Sequence, residues 1–365
     1  MPMNSAPAAI NGFGVIVATD DGRVSLLQHG LDSCRWEHRL SNFIYATPTF
    51  DRDNRRVVVC ATDGLVASIA LSGAVAWNVR LDAEIYAMPT IIAKHDLLVL
   101  ALFGSTLVGL SLTTGEVRWR ISVPRPWDAN FSGPSSRREV YATPAHLDDR
   151  IIVIGGESVL CLSPDGRVVW TADIGTAVKA SPVINADASA VLVGGTDGSV
   201  WLLDVHRGTK RASVNLGSRI NASPAVSDGI ALFGTTAGEV VGIDAGDELS
   251  VRWANRDLGG PYSYTSFVEA TSGVACMTSN RGTVVGFRTR DGKFLWETSQ
   301  QLGLPGHQPE VHTTPIVAAD GHLYVASYTG DLYEFRFPVV SDSTNDERDR
   351  QWHGDGLASN GSIRS

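Results

Sequence analysis

The stretch KASPVINADASAVLVGGTDGSVWLLDVHRGTKRASV, residues 179–214, decides the fold. It opens on Ser181-Pro182 and a short strand signal. The apolar run AVLVGGT (190–196) reads as a second strand, Asp197-Gly198 as a tight turn, and SVWLLD (199–204) as a third strand. A Gly-containing turn then leads to a fourth strand. Glycine supplies the positive φ that such hairpin turns need, and apolar patterning on both sides of the turn marks strands.

Aligned on the proline, the same unit recurs along the chain. Tight turns fall at Asp21-Gly22, Asp63-Gly64, Phe103-Gly104, Gly155-Gly156, Asp197-Gly198, Ala237-Gly238, Arg281-Gly282 and Thr329-Gly330, spaced by about 40 to 52 residues, near the period of propeller blades. The fourth strands carry Trp36, Trp77, Trp119, Trp170, Trp253 and Trp296, with Ala212 in the fifth unit. Bulky aromatics at one repeat position read as packing between neighbouring blades. A four-stranded blade cannot bury both faces alone, and ring closure lets each blade cover the next. The chain is therefore expected to be all-β, an eight-bladed β-propeller of four-stranded antiparallel blades spanning 1–340. The last unit (312–337) shows no evident fourth strand. Pro338–Val340 or the stretch around Trp352 would supply it, or the blade has three strands. Residues 341–365 otherwise read as a polar, disordered tail.

Composition narrows the class. Of 365 residues 43% are hydrophobic, enough for a sizeable core, and the formal charge is −9. With no basic stripe, a nucleic-acid partner is disfavoured. No apolar run approaches a membrane span. The opening residues MPMNSAPAAINGF have neither a positive n-region nor an apolar h-region, so a soluble, cytoplasmic protein is expected. The cysteines Cys34, Cys60, Cys161 and Cys276 lie in or beside apolar runs and are expected to be buried, reduced thiols. There is no CxxC, HExxH or GxSxG motif.

The consensus xASPxxxxxxxVxVGTxDGxVxxLDxxxGxxxW resembles the PQQ-like (quinoprotein-type) β-propeller repeat, from about residue 6 to 337. The quinone-dependent dehydrogenases of that family carry a vicinal cysteine pair, a Ca²⁺ site built from Glu, Asn and Asp, and an export signal. This chain has no adjacent cysteines and no carboxylate cluster at Ca²⁺-ligand spacing. The resemblance thus implies the fold without PQQ, metal or quinone dehydrogenase activity, and no cofactor is expected. The outer-membrane assembly lipoproteins of the family bear a signal and a lipidated cysteine that this sequence does not display. Similar propellers also occur as cytoplasmic modules. Function does not travel with the fold.

Departures from the repeat point to a site. Three residues before each proline stand Tyr45, Tyr86, Tyr141, Lys179, Asn221, Tyr264 (aligned on Ser266-Phe267) and His312, with Asn4 in the first unit. Two residues earlier, on the same strand side by period-two alternation, stand Phe43, Glu84, Glu139, Ala177, Arg219, Tyr262 and Glu310. In propellers of this family these positions lie at the funnel mouth. Three linkers there are longer than the rest: SVPRPWDANFSGPSSRR with Trp127, NRDLGGPYS and TSQQLGLPGHQPE. They would form lids or walls over the funnel.

A varied, charged and aromatic collar is the usual mark of a ligand site. On one reading it binds a small polar or aromatic molecule. Glu139, Glu84, Glu310, His312 and Lys179 are then the acid–base candidates. Tyr45, Tyr86, Tyr141, Asn221, Arg219, Tyr262, Tyr264 and Trp127 are the binding candidates. The chemistry would be cofactor-independent isomerisation, elimination, cyclisation or hydrolysis in small-molecule biosynthesis. On the other reading the face is a non-catalytic scaffold for a protein partner. Each residue also has a structural alternative: the tyrosines as hydroxyl-capped packing between blades, Lys179 and Arg219 as neutralising partners of the glutamates.

Overall fold

The computed structural model describes residues 2–40, 43–104, 106–123, 142–261, 265–301, 311, 313–318, 321–336 and 359–362. These form eight four-stranded antiparallel sheets, each a simple meander in sequence order, which is the expected eight-bladed propeller. The fifth blade, anticipated from 179–214, consists of Val183–Ile184, Ala190–Gly194, Ser199–Asp204 and Lys210–Asn215. At all eight second-to-third-strand turns the glycine adopts positive φ, from 70° at Gly156 to 94° at Gly330.

Burial follows the radial position of each strand. Second strands such as Leu97–Leu102 are buried at every residue, whereas outer strands such as Val75–Arg80 alternate exposed and half-buried residues. The apolar core is divided into eight clusters, one at each junction between neighbouring blades. Val58, Cys60 and Val66 of the second blade, for example, pack on Leu98, Leu100 and Val108 of the third. The last junction joins Tyr324, Ala326 and Leu332 of the eighth blade to Val15, Val17 and Met3 of the first, closing the ring.

Two further layers staple the blades together. At the perimeter five of the fourth-strand tryptophans are bonded to the next blade. The Nε1–H of Trp36, Trp77, Trp119, Trp170 and Trp253 donates to the carbonyls of Leu71, Leu112, Pro164, Val205 and Thr289 at 2.8–3.1 Å. The indole of Trp77 packs so closely on Gly115 that a Cβ there would stand 2.5 Å from Cε3. Opposite each tryptophan the third-to-outer pairing slips by one residue, as at Ser68/Ile69, a β-bulge that turns the outer strand. Around the axis, the hydroxyls of the Ser/Thr-Pro signature link inner strands. Ser181 Oγ accepts from the Thr143 amide at 2.9 Å, Ser223 Oγ from the Ser181 amide at 3.0 Å, and Thr314 Oγ1 from the Ser266 amide at 3.0 Å.

Two expectations change. The last blade has a fourth strand, but it is Ser359–Ser362, paired with Asp331–Arg336, rather than Pro338–Val340 or the stretch around Trp352. An outer strand contributes ladder hydrogen bonds and needs little apolar content, so a polar segment serves. Cys60, Cys161 and Cys276 are buried, but Cys34 is exposed because it begins the outer strand Cys34–Arg39.

Candidate functional site

Among the described residues, the linkers entering five of the blades are tied to those blades' second-to-third-strand turns. Thr62, Phe103, Thr196 and Thr236 donate their backbone N–H to the carbonyls of Phe43, Glu84, Ala177 and Arg219 at 2.8–2.9 Å. Asn280 does the same to Gly260 at 3.0 Å. Collar and turns therefore share one face of the propeller. The residue of each turn that makes this bond joins the mouth as well, which sequence reasoning missed. Its signal is position: it stands one or two residues before the turn glycine. These residues are Asp20, Thr62, Phe103, Thr196, Thr236 and Asn280, and Tyr328 holds the equivalent place in the eighth blade.

The register also corrects the alignment of the seventh blade. The bridge Pro261↔Ser279 repeats Ile85↔Leu102 and Val178↔Gly195, so Pro261 occupies the place of Ile85, directly before Tyr86. The first collar position thus falls at 262, whereas the alignment on Ser266-Phe267 had given Tyr264. Ser266 itself still bridges Ser223 of the preceding inner strand. Two extra residues lie between the two landmarks.

One half of the mouth, from the eighth to the third blade, is aromatic and acidic. The rings of Phe43 and Tyr45 stack with centroids 6.4 Å apart, Tyr45 and Tyr86 lie at 5.8 Å, and Tyr86 meets Phe103 edge-on at 6.1 Å. Phe43 is 50% and Tyr45 36% exposed, while Tyr86 and Phe103 are half-buried, so the Phe43–Tyr45 end of the arc faces water. The Tyr86 hydroxyl donates to Glu84 Oε2 at 2.7 Å. The Tyr45 hydroxyl makes no hydrogen bond to a described residue. Burial, then the nearby charges of Asp20 and Tyr328, hold it above the usual tyrosine range. Asp20 accepts from Asn4 Nδ2 at 2.6 Å on one oxygen. Its other oxygen is buried with no hydrogen-bond partner. Burial raises the Asp20 carboxyl above the ordinary carboxylate range, which brings it closer to working pH for proton transfer. No sequence motif announced it.

The opposite half, at the sixth and seventh blades, holds a cavity of about 190 Å³ lined by Asn221, Ala222, Gly234, Thr235, Thr236, Pro261 and Asn280. Pro261 seats directly on Gly234, where a side chain would clash, and Leu258 is buried. This long linker is thus a packed wall of the mouth. The third linker begins with a helical turn, Thr298–Gln301.

The structure unites Tyr45, Tyr86 and Glu84, and puts Asn221 in the cavity. Lys179 and Arg219 are exposed and form no ion pair with a described residue, Glu84 included. Glu139, Tyr141, Glu310, His312, Tyr262, Tyr264 and Trp127 lie outside the described residues. Among the described residues no group of three or more His, Cys, Asp or Glu could hold a metal, and no helix is long and apolar enough to cross a membrane.

A family profile described as outer membrane protein assembly factor BamB matches residues 2–163 and again 155–362. The chain belongs to this PQQ-like repeat family. Solved structures agree on the fold of this PQQ-like propeller. BamB from Moraxella catarrhalis superposes with a TM-score of 0.74 at 19% identity, covering 92% of this chain and 97% of that one. The computationally designed Ika8 protein gives 0.71 at 16% identity, covering 92% and 98%. No curated protein matches the chain. At these identities the likeness concerns the fold alone.

Proposed function

We propose that this PQQ-like propeller binds a small polar or aromatic molecule in the funnel at the top of its central channel. The observation that carries this reading is the arc Phe43–Tyr45–Tyr86–Phe103. Its rings are in mutual contact, Phe43 and Tyr45 are open to water, and the Tyr45 hydroxyl has no described partner. Exposing apolar rings forgoes burial worth roughly 25 cal/mol per Å², and a ligand stacking on them recovers it. Glu84 and Asp20 beside the arc favour a ligand with hydrogen-bond donors or positive charge, since a cation is attracted to an aromatic face.

Saturation-transfer NMR on a mixture of small aromatic amines, acids and amides tests the reading. Members of the mixture should respond with the wild type and fall silent with Tyr45→Ser/Tyr86→Leu. Silence with the wild type, or an unchanged response with the double variant, removes it. A second reading, a scaffold binding a protein partner on the same face, is favoured by the description of the family as an assembly factor. Photo-crosslinking from position 45 in cells would then capture a defined protein, and the NMR mixture would stay silent.

A further inference from the structure

We propose that the cavity between the sixth and seventh blades is a binding site for a small oxyanion of the carboxylate class. It lies across the mouth from the aromatic arc and goes beyond the reading given above, on separate residues. The central observation is Thr235, which lines the cavity, is 3% exposed and has a buried Oγ1 with no hydrogen-bond partner. Burying a hydroxyl without a partner is costly. The same position in other blades avoids that cost inside its own turn. Thr19 Oγ1 donates to Asp21 Oδ1 at 2.6 Å, and Ser327 Oγ pairs with Thr329 Oγ1 at 2.8 Å. In the sixth blade the residue two places on is Ala237, which cannot accept. The hydroxyl is kept without its local partner and borders the cavity.

The other polar groups agree in sign. The amides of Asn221 and Asn280 line the same space and make no side-chain hydrogen bond to a described residue. With Thr235 they supply three neutral groups able to donate. Among the described residues no carboxylate lines the cavity. Arg219, whose carbonyl holds Thr236, and Arg281, beside Asn280, flank it, and neither forms an ion pair with a described residue. The acidic residue of the nearby turn, Glu239, is engaged by Arg256 at 3.3 Å. Neutral groups that can donate, next in the chain or in the turn to two arginines without an ion-pair partner among the described residues, suit an anion that accepts several hydrogen bonds. A volume of about 190 Å³ corresponds to about six waters at roughly 30 Å³ each, the size of a short-chain mono- or dicarboxylate.

Isothermal titration of the full chain with succinate, with inorganic phosphate, and with uncharged succinamide, at ionic strength fixed with chloride, tests this. Succinate is expected to bind and succinamide to bind at least tenfold more weakly. Phosphate separates planar from tetrahedral oxyanions: weaker binding than succinate supports the carboxylate class, and tighter binding overturns it. Thr235→Val keeps the shape of the side chain and removes only the unpartnered hydroxyl. It should weaken succinate at least tenfold without lowering the melting temperature. Arg281→Gln should weaken it comparably. The proposal is overturned if succinate binds no better than succinamide, or if Thr235→Val and Arg281→Gln bind as tightly as the wild type.

Discussion

Replacing Gly115 by alanine tests the perimeter staple directly. Gly115 has φ +78°, and a Cβ there would stand 2.5 Å from Trp77 Cε3, on a ring fixed by its hydrogen bond to Leu112. Two costs combine: about 1–2 kcal/mol for an L-residue in the left-handed region, and about 1–3 kcal/mol for overpacking against a ring that cannot move freely. Gly217 separates them. Its φ is +76°, yet nothing lies within 4 Å of its Cβ direction, so Gly217→Ala carries the first cost alone. With an unfolding entropy of about 2.1 cal/mol/K per residue, 1 kcal/mol shifts the Tm of a 365-residue cooperative unit by about 1.3 °C. Calorimetry should therefore show a fall of about 3–6 °C for Gly115→Ala and about 1–3 °C for Gly217→Ala. The decisive measurement is the double-mutant cycle. Trp77→Ala destabilises by itself, by about 3–5 kcal/mol, but it removes the ring that Gly115→Ala strikes. In that background the glycine substitution should cost only as much as Gly217→Ala, leaving a coupling of about 1–3 kcal/mol. Equal losses for the two glycine variants and an additive cycle would refute the staple.

Three further outcomes are expected. Because burial raises the Asp20 pKa above its ordinary 3.8, the folded state favours the protonated carboxyl, and ionisation costs stability above that range. Asp20→Asn should thus raise Tm at pH 7, with the gain shrinking as pH falls and vanishing below 3.8; a loss at pH 7 would contradict the assignment. Glu334 is 2% exposed, accepts from the Gly30 amide of the first blade at 2.8 Å across the ring-closing junction, and lies 3.6 Å from His322 Nε2 of its own blade. Glu334→Ala should cost about 2–4 kcal/mol in a urea titration, and a shift below a few tenths would show that closure does not depend on it. Ending the chain at 340 removes Ser359–Ser362 and leaves Asp331–Arg336 as an open edge. Tm should fall and light scattering should rise, whereas an unchanged protein would show that this strand adds nothing.

Sequence and structure agree best where one contact repeats around the ring. The turn glycines, the Ser/Thr-Pro inner strands and the outer-strand tryptophans each meet the same neighbour in blade after blade, so period alone exposes them. What the period could not show is why Ser181 and Ser223 are hydroxyls, because their partners are backbone amides one blade away. Ser359–Ser362 was hidden because an outer strand is recognised by its ladder and carries no necessary apolar pattern. At the mouth, the collar tyrosines stood out from the consensus. Asp20, Phe103, Tyr328 and Thr235 did not, since they sit in turns whose variability looks like ordinary loop variation. The displacement at 262 arose because Ser266 and Pro261 obey different neighbours, the inner strand and the turn, and two extra residues separate them.

That division separates positions that serve the ring from positions that do not. A position stapled to the next blade is constrained to serve the ring: Gly115 must remain small for Trp77, and Ser223 must remain a hydroxyl for Ser181. A side chain at the mouth meets only the neighbours its own blade and the adjacent turn provide, so it is free to differ. Here the differences are not scattered. Among the described residues, the rings of Phe43, Tyr45, Tyr86 and Phe103 stand with the carboxyls of Asp20 and Glu84 on one side of the channel. The amides of Asn221 and Asn280 stand with Arg219 and Arg281 on the other. On the reading proposed above, a molecule seated between these described groups would meet rings and carboxyls on one side and amides on the other.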